Sequence, residues 1–225
     1  MGINSSIIIT NYNYGKYLGR CIRSCLNQTL PKTEYEIIVV DDKSSDESKE
    51  VLKSFGDQIV VKLLKENKGV AYASNQGIKL AKGMFIMRVD ADDFINDNMV
   101  LFMTKILIEN PDIGFVYGDH FKVDKEGTKL KRVNMKNLSN LLNHGAGIMF
   151  RKIHLEAMGL YDTNLRNCED YDLIIRYLRN FDGFHLPMPF YRYTKHDSNM
   201  TNNIEARKVA EKKVLDKNQI KGEIK

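Results

Sequence analysis

The sequence predicts an α/β fold in which helices flank a mostly parallel central sheet. In its first half, short apolar runs alternate with segments whose apolar residues recur at helical spacing, which is typical of strand-helix-strand units. The crossovers in such units are right-handed and leave successive strands parallel. Several apolar runs also end in polar residues, as do strands whose carboxyl ends bind a ligand. With 225 residues, of which 43% are hydrophobic, the chain is large enough for a sizeable core.

Residues 1–98 are predicted to contain four strands and three helices. The segment after the first strand places Leu18, Cys21 and Ile22 on one face of an amphipathic helix. Ser44 and Glu47 have the spacing of a capping box, in which Ser44 caps the second helix and Glu47 bonds back to it. The predicted strands are 6–10, 36–40, 59–64 and 84–89, and the predicted helices are 16–27, one following Ser44, and 70–81.

The pattern is less regular from residue 99 to residue 202. A helix is expected to end before Pro111, because proline cannot continue it, and a later helix follows Cys168. We expect one domain over residues 1–202, with halves of about 1–98 and 99–202. The predicted helices of the second half are 99–108 and 171–178, and the predicted strands are 114–117, 129–133 and 148–150.

Composition and charge exclude several classes of protein. No run approaches the roughly 20 apolar residues that span a bilayer, and the first apolar run is too short for a signal peptide. Three cysteines are too few and too odd in number for a disulfide framework, and Cys21 and Cys25 are expected in the core. The net charge of +5 allows anionic partners without requiring nucleic acid. We therefore expect a cytoplasmic protein that binds no nucleic acid.

The acidic stretch at residues 90–93 is the strongest indication of function. Asp90, Asp92 and Asp93 follow an apolar run that ends near residue 87, so their charge needs a cationic partner. Mg²⁺ and Mn²⁺ take oxygen ligands and often leave positions open for phosphate oxygens. The alternative is a polar loop that caps the helix beginning near Asn96.

Polar residues also follow the other predicted strands of the parallel sheet. Thr10, Tyr12 and Asn13 end the first strand, and Asp42 ends the second. A nucleobase can stack on Tyr12 and donate an N–H to Asp42, while the loop with Asp90 can hold a ribose hydroxyl and a metal. The chain lacks both glycine-rich phosphate-binding motifs, so a metal would have to neutralise a diphosphate.

Together these motifs resemble those of the family-2 glycosyltransferases, which have the GT-A fold. The resemblance covers roughly residues 5–200 and implies a nucleotide-binding half, an acceptor half, a divalent metal and transfer with inversion at the anomeric carbon. UDP-sugars are favoured as donors by the resemblance alone. The matching segments are 7–13, 39–46, 67–69, 90–93 and 169–172.

The resemblance also implies roles for individual residues. Asp170 matches the general base, Asp92 matches the ligand of Mn²⁺ or Mg²⁺, and His196 resembles a late histidine that helps to close the diphosphate site. In this chain the spacing before His196 is looser than usual. Thr10, Tyr12, Asn13, Asp42 and Asp90 are assigned to the nucleotide sugar, and Gly145, Gly147 and Glu169 to the acceptor region.

Each assignment has a simpler alternative. Asp170 could only favour the dipole of the helix that it begins, Tyr12 could be a core aromatic, and His196 could lie on the surface. The function expected from the resemblance is sugar transfer to a glycan, lipid-linked or protein acceptor, in cell-surface polysaccharide synthesis. The competing functions are a sugar nucleotidyltransferase and a non-catalytic nucleotide-sugar-binding partner, because fold and motif do not prove turnover.

The last segment, residues 203–225, is basic and is expected to be helical. Its apolar stripe is narrow and broken, which argues against deep insertion into a membrane. One interpretation is a solvated helix, and the other is weak, salt-sensitive attraction of the protein to the inner face of an anionic membrane. Its cationic residues are Arg207, Lys208, Lys212, Lys213, Lys217, Lys221 and Lys225.

Overall fold

We describe the protein from a computed structural model, which covers residues 2–142, 144–199 and 202–220, with the side chain of Leu138 also excluded. The strands are β1 (Ser5–Asn11), β2 (Tyr35–Asp41), β3 (Val60–Leu63), β4 (Phe85–Asp90), β5 (Phe94–Ile95), β6 (Ile113–Val123), β7 (Lys129–Val133), β8 (Met149–Arg151) and β9 (Asp182–Thr194). The helices are α1 (Gly15–Leu26), α2 (Ser48–Ser54), α3 (Val70–Leu80), α4 (Met99–Glu109), α5 (Leu138–Leu142), α6 (Lys152–Ala157), α7 (Glu169–Leu178) and α8 (Ile204–Lys217), with a short 3-10 helix at Gly56–Gln58.

The first half is the parallel sheet that the sequence predicts. β1 lies between β2 and β4 and pairs with both in parallel, and β3 extends the sheet beyond β2. Every residue of β1 is buried. Ile7 and Ile9 belong to one apolar core cluster and Ile8 to the other, because successive side chains of a strand point to opposite faces. β1 is therefore covered on both faces, and its polar carboxyl end opens at the edge of the sheet.

The second half turns the sheet into a mixed one. β8 pairs antiparallel with β4, β6 pairs antiparallel with β8, and β9 runs parallel to β6. β5 and β7 complete the sheet by antiparallel pairing with β9 and β6. The predicted α/β class is confirmed, with the parallel pairs concentrated in the first half.

Two elements near the carboxyl edge were not predicted, β5 and the long β9. β9 contains Gly183, Pro187 and Pro189, residues that normally interrupt strands. Its pairing with β6 shifts register where Gly118 pairs with Leu186 and His120 with Tyr191, so the prolines fall in an irregular stretch. This bulge allows one strand to reach the acidic loop after β4.

The predicted capping box is wrong. Ser44 Oγ accepts hydrogen bonds from Asn11 Nδ2 (3.1 Å) and the Asn13 amide (2.9 Å), and α2 begins only at Ser48. Asp46 binds the helix start instead, accepting from the Ser48 amide at 3.0 Å and from the Gly15 amide of α1 at 2.8 Å. One carboxylate therefore joins the amino ends of α1 and α2, which is favourable for both helix dipoles.

The predicted terminal helix is confirmed as α8, while residues 221–225 lie outside the described part of the chain. Val214 of α8 is fully buried. Asn218 Nδ2 donates to Asp172 Oδ1 of α7 at 3.0 Å, and Lys217 Nζ lies 2.8 Å from the same oxygen. α8 thus packs on α7 rather than standing free in solvent.

Within the described ranges, none of the helices has the length and apolar character needed to cross a membrane.

Candidate functional site

An open cleft of about 220 Å³ lies at the carboxyl ends of β1 and β4. Its floor comes from these two strands and the loops that follow them. Residues around the start of α7 and the first turns of α8 form the opposite side. The site residues predicted from the sequence that line the cleft are Thr10, Tyr12, Asp90, Asp92, Glu169 and Asp170.

Tyr12 is the exposed aromatic side chain on the β1 side of the cleft. Its side chain is 47% exposed, so it is not a core aromatic. Thr10 is buried at the end of β1 and also lines the cleft. A flat exposed ring beside a polar strand end is suited to stacking on a nucleobase.

Asn13 and Asp42 do not line the cleft. Asn13 adopts a left-handed backbone (φ 56°), and its Oδ1 accepts from the Ser45 amide at 2.8 Å. The buried Asp42 carboxylate accepts from the amides of Lys68 (2.8 Å) and Gly69 (2.7 Å), and burial raises its pKa. Both side chains fix the loops around the base position, and their direct contact with a nucleotide remains a prediction.

Asp92 is paired with His196, as the resemblance implies. His196 Nε2 lies 2.9 Å from Asp92 Oδ2, and Asn199 Nδ2 lies 3.2 Å from the same oxygen. The Tyr17 ring stacks on the imidazole with centroids 4.8 Å apart, and Ser198 Oγ lies 2.9 Å from its Nδ1. The looser spacing in the sequence therefore does not keep His196 from the acidic loop.

Asp92 and His196 together are suited to a metal ion that also binds a ligand in the cleft. A carboxylate oxygen and an imidazole nitrogen are both ligands of Mn²⁺, and a hard cation completes its shell with phosphate oxygens and water. In the described part of the chain, no group of three or more His, Cys, Asp or Glu side chains is arranged so that it could hold a metal ion by itself. Asp92 and His196 are the described residues that would hold such a cation.

Asp93 has a structural role. It is 1% exposed, and its two carboxylate oxygens accept from the Thr194 amide and the Tyr191 hydroxyl, each at 2.7 Å. Burial and the neighbouring Asp92 raise its pKa. Asp93 thus ties the end of β9 to the acidic loop, and this tie brings His196 close to Asp92.

Arg88 is the main site residue that the sequence reasoning missed. Its buried guanidinium lies 2.7 Å from Asp170 Oδ2, 3.1 Å from Asp90 Oδ1 and 3.5 Å from Glu169 Oε1. These three carboxylates raise the pKa of Arg88 against the effect of its burial. The signal in the sequence was an arginine inside an apolar strand, immediately before the acidic loop.

The carboxylates around Arg88 differ in their readiness to ionise. Burial and the neighbouring Asp170 raise the pKa of Glu169 to about 8, although Arg88 opposes the shift. Burial likewise raises the pKa of Asp90 to about 6. Near neutral pH, Glu169 therefore tends to keep its proton, which reduces the negative charge beside Asp170.

Gly145 and Gly147, the two glycines assigned to the acceptor region, contact Asp170 and Arg88 respectively. A Cβ atom on Gly145 would lie 2.0 Å from Asp170 Cγ, so only glycine leaves room for that carboxylate. Gly147 has a left-handed backbone (φ 73°), and its amide donates to the Arg88 carbonyl at 2.8 Å. The structure thus gives these glycines a packing role, and contact with an acceptor remains a prediction.

We expect the raised pKa of Glu169 to make stability fall as pH rises. Between about pH 4.5 and 8 the folded state keeps a proton that the unfolded state has lost, so folding is favoured at the lower pH. Glu169→Gln should therefore reduce the loss of unfolding free energy between pH 5 and pH 8 by at least about 1 kcal/mol. Urea unfolding at several pH values measures this, and an unchanged pH dependence would contradict the raised pKa.

Comparison with known proteins identifies the family. The sequence matches the family model described as glycosyl transferase family 2 over residues 6–171. The chain belongs to this family. It is therefore a transferase, and the family resemblance seen in the sequence is confirmed.

A curated relative of this glycosyltransferase acts in polysaccharide synthesis. This chain is 28% identical to that relative, the chondroitin synthase of Escherichia coli, over 183 residues, which are 76% of this chain and 26% of the relative. The chain spans between 26% and 65% of the length of the first curated relatives that it matches.

Solved structures confirm the GT-A-like fold of the glycosyltransferase. S. aureus TarS in complex with UDP-GlcNAc superposes with a TM-score of 0.76 at 22% identity, covering 95% of this chain and 67% of TarS. The mannosyltransferase PcManGT of Pyrobaculum calidifontis, in complex with GDP-Man and Mn²⁺, superposes with a TM-score of 0.77 at 17% identity, covering 100% and 66%.

Proposed function

We propose that this glycosyltransferase moves a sugar from a nucleoside-diphosphate sugar to an acceptor hydroxyl with inversion, assisted by Mn²⁺ or Mg²⁺. The observation that carries the proposal is one cleft lined both by Asp92, whose carboxylate is paired with His196 behind it, and by Asp170, which is held by Arg88. The first pair is suited to the departing diphosphate, and the second to the attacking hydroxyl.

Asp170 has the surroundings of a general base. Its Oδ2 accepts from Arg88, while its Oδ1 is buried and has no hydrogen-bond partner among the described residues. The Asp170 side chain lines the cleft and is 17% exposed, so an acceptor hydroxyl in the cleft can donate a hydrogen bond to the exposed part of its carboxylate. Arg88 fixes the orientation of the carboxylate and keeps its charge compatible with burial.

The proposed sugar transfer is a single displacement at the anomeric carbon. The acceptor O–H bond breaks as its proton passes to Asp170, and the acceptor oxygen bonds to the anomeric carbon. The bond from that carbon to the diphosphate oxygen breaks, and its electron pair stays on the diphosphate. When bound at Asp92 and His196, a divalent cation would offset the negative charge that grows there.

The donor class is supported by the solved neighbours and by the β1 side of the cleft. TarS and the mannosyltransferase hold UDP-GlcNAc and GDP-Man in their respective structures, so the fold accommodates more than one base. Tyr12 is exposed beside Thr10, at the position assigned to the base. We propose a UDP-sugar as the donor.

A thermal-shift screen of UDP and GDP, with and without Mn²⁺, tests the donor assignment. A ligand that binds only the folded state raises the midpoint of unfolding, and a concentration of one hundred times Kd adds about 2.7 kcal/mol. We expect UDP to give the largest shift, and a larger one with Mn²⁺ than without. Absence of a shift with either nucleotide would contradict the assignment.

We further propose that the acceptor is a glycan, lipid-linked or protein molecule of cell-surface polysaccharide synthesis, and that α8 attracts the enzyme weakly to anionic membranes. Apart from Lys217, which is paired with Asp162 and Asp172, the exposed basic residues of α8 are Lys208, Lys212 and Lys213. They lie away from Val214 and Asn218, which hold α8 to the domain. Each well-placed cation near an anionic surface contributes about 1 kcal/mol.

Liposome sedimentation measures the proposed membrane attraction. Truncation after Thr201 would remove the buried Val214 together with the charges, so substitution of the three exposed lysines by glutamine is the cleaner variant. We expect wild-type protein to sediment with anionic liposomes at low salt, and both high salt and the triple substitution to abolish this. Equal sedimentation with neutral and anionic liposomes would refute it.

A further inference from the structure

The first turns of α8 bring an arginine into the cleft that neither the family match nor the sequence motifs assign. We propose that Arg207 binds the diphosphate of the donor, so that the C-terminal helix completes the donor site. This inference rests on the proposed function. Arg207 lines the same cleft as Asp92 and Asp170 and is half-buried there.

The orientation of α8 is fixed by its buried face. Arg207, Val214 and Asn218 are seven and four positions apart, a spacing that places them along one side of a helix. Val214 is fully buried and Asn218 is 4% exposed, whereas the neighbouring Lys208 is exposed. Arg207 therefore lies at the end of the packed face of α8, where it reaches the cleft. It differs in this from the solvent-facing cations of the tail.

α8 is attached to the same helix that begins with Asp170. Asn218 Nδ2 donates to Asp172 Oδ1, Lys217 Nζ lies 2.8 Å from that oxygen, and Arg179 donates to the Asn218 carbonyl. At the other end, Cys168 Sγ donates to the Arg207 carbonyl at 3.7 Å. The position of Arg207 is thus set by contacts at both ends of α7.

A diphosphate that enters the cleft adds negative charge to a lining that already contains acidic side chains. Among the described lining residues there are four carboxylates and two arginines. Arg88 already lies within 3.5 Å of three of those carboxylates, so its charge is balanced inside the protein. Arg207 is the second cationic side chain among the described lining residues, and its guanidinium can act together with a cation at Asp92 to offset the diphosphate.

The guanidinium is chemically suited to this task. Its planar fork of N–H donors matches phosphate oxygens in a bidentate arrangement, and such charge-assisted hydrogen bonds are roughly twice as strong as neutral ones. Lysine would supply the charge without the fork. The competing interpretation is that Arg207 only balances nearby acids, among them Glu211 one turn further along α8.

Isothermal titration calorimetry in Mn²⁺ with UDP and with uridine separates these roles. We expect Arg207→Gln to weaken UDP binding at least about tenfold, the scale of one lost charge-assisted hydrogen bond, and to leave uridine binding unchanged. Arg207→Lys should recover part of the loss. Lys208→Gln, which removes a neighbouring exposed charge, should bind both ligands as the wild type does.

The outcomes that would overturn the inference are distinct from those that would overturn the function. Wild-type UDP affinity in Arg207→Gln removes the diphosphate role and leaves the proposed function standing. If Arg207→Gln weakens the binding of UDP and of uridine equally, or lowers the midpoint of unfolding, Arg207 only supports the shape of the cleft. Failure of the wild-type protein to bind UDP or GDP at all refutes the proposed function and this inference together.

Discussion

Asp92→Asn is expected to abolish the Mn²⁺-dependent part of nucleoside-diphosphate binding while the fold stays intact. The amide keeps the shape of the side chain but removes the charge that would hold the cation beside His196. Asp93 keeps its two hydrogen bonds to β9 in this variant, so the segment that carries His196 should stay beside the acidic loop.

Calorimetry with UDP in the presence and absence of Mn²⁺ measures this effect. The variant should bind UDP equally weakly under both conditions, with a midpoint of unfolding close to that of the wild type. Asp97→Asn is the matched control, since this exposed carboxylate lies outside the cleft. UDP affinity in Mn²⁺ that is unchanged by Asp92→Asn would show that Asp92 holds no metal.

Asp170→Asn is expected to bind donor normally yet to turn over at least about a hundredfold more slowly, the usual scale for a lost general base. An amide oxygen can still accept from Arg88, so the local geometry survives. It cannot take the proton of the acceptor hydroxyl, which is the step that we propose for the Asp170 carboxylate.

Steady-state rates with the acceptor, measured alongside donor affinity, separate catalysis from structure. A fall in kcat with unchanged donor affinity supports the role as a base. Near-native kcat would leave Asp170 as a carboxylate that merely favours the dipole of α7. Glu169→Gln is a useful comparison, because it changes the neighbouring carboxyl group without removing the base.

The parallel half of the fold could be predicted because its signals are local. β1 and α1 each show their period within a dozen residues, and the polar residues that follow β1 and β4 mark the edge where ligands bind. Thr10, Tyr12, Asp90 and Asp92 accordingly line the cleft. The same reasoning could not predict that the Asp42 carboxylate accepts hydrogen bonds from two backbone amides of a neighbouring loop.

What could not be predicted depends on contacts distant in sequence. β9 contains prolines that resemble strand breakers, and it is stabilised by pairing with β5 and with β6, both of which lie far earlier in the sequence. Arg88 joins three carboxylates from two separate segments, so no local pattern marks it as a site residue. The register of β9 also explains how His196 reaches Asp92 despite its unusual spacing.

The role of α8 was hidden for a different reason. Its packing depends on one buried valine and on polar contacts to Asp172, so hydrophobic periodicity shows only a broken stripe. The charge of the segment suggested a solvated or membrane-attracted tail. Polar packing of this kind becomes visible only when the partner carboxylate on α7 is known.

The central claim is that this cleft transfers sugar from a nucleoside-diphosphate donor, and release of free nucleoside diphosphate from a panel of sugar nucleotides in Mn²⁺ tests it most directly. We expect release from one donor class, most strongly from a UDP-sugar, stimulated by acceptor glycan and lost in Asp170→Asn. A protein that binds sugar nucleotides without releasing nucleoside diphosphate would be a non-catalytic binding partner. Release of nucleoside triphosphate from sugar nucleotide and pyrophosphate would instead show a nucleotidyltransferase, and either result would contradict the proposed mechanism.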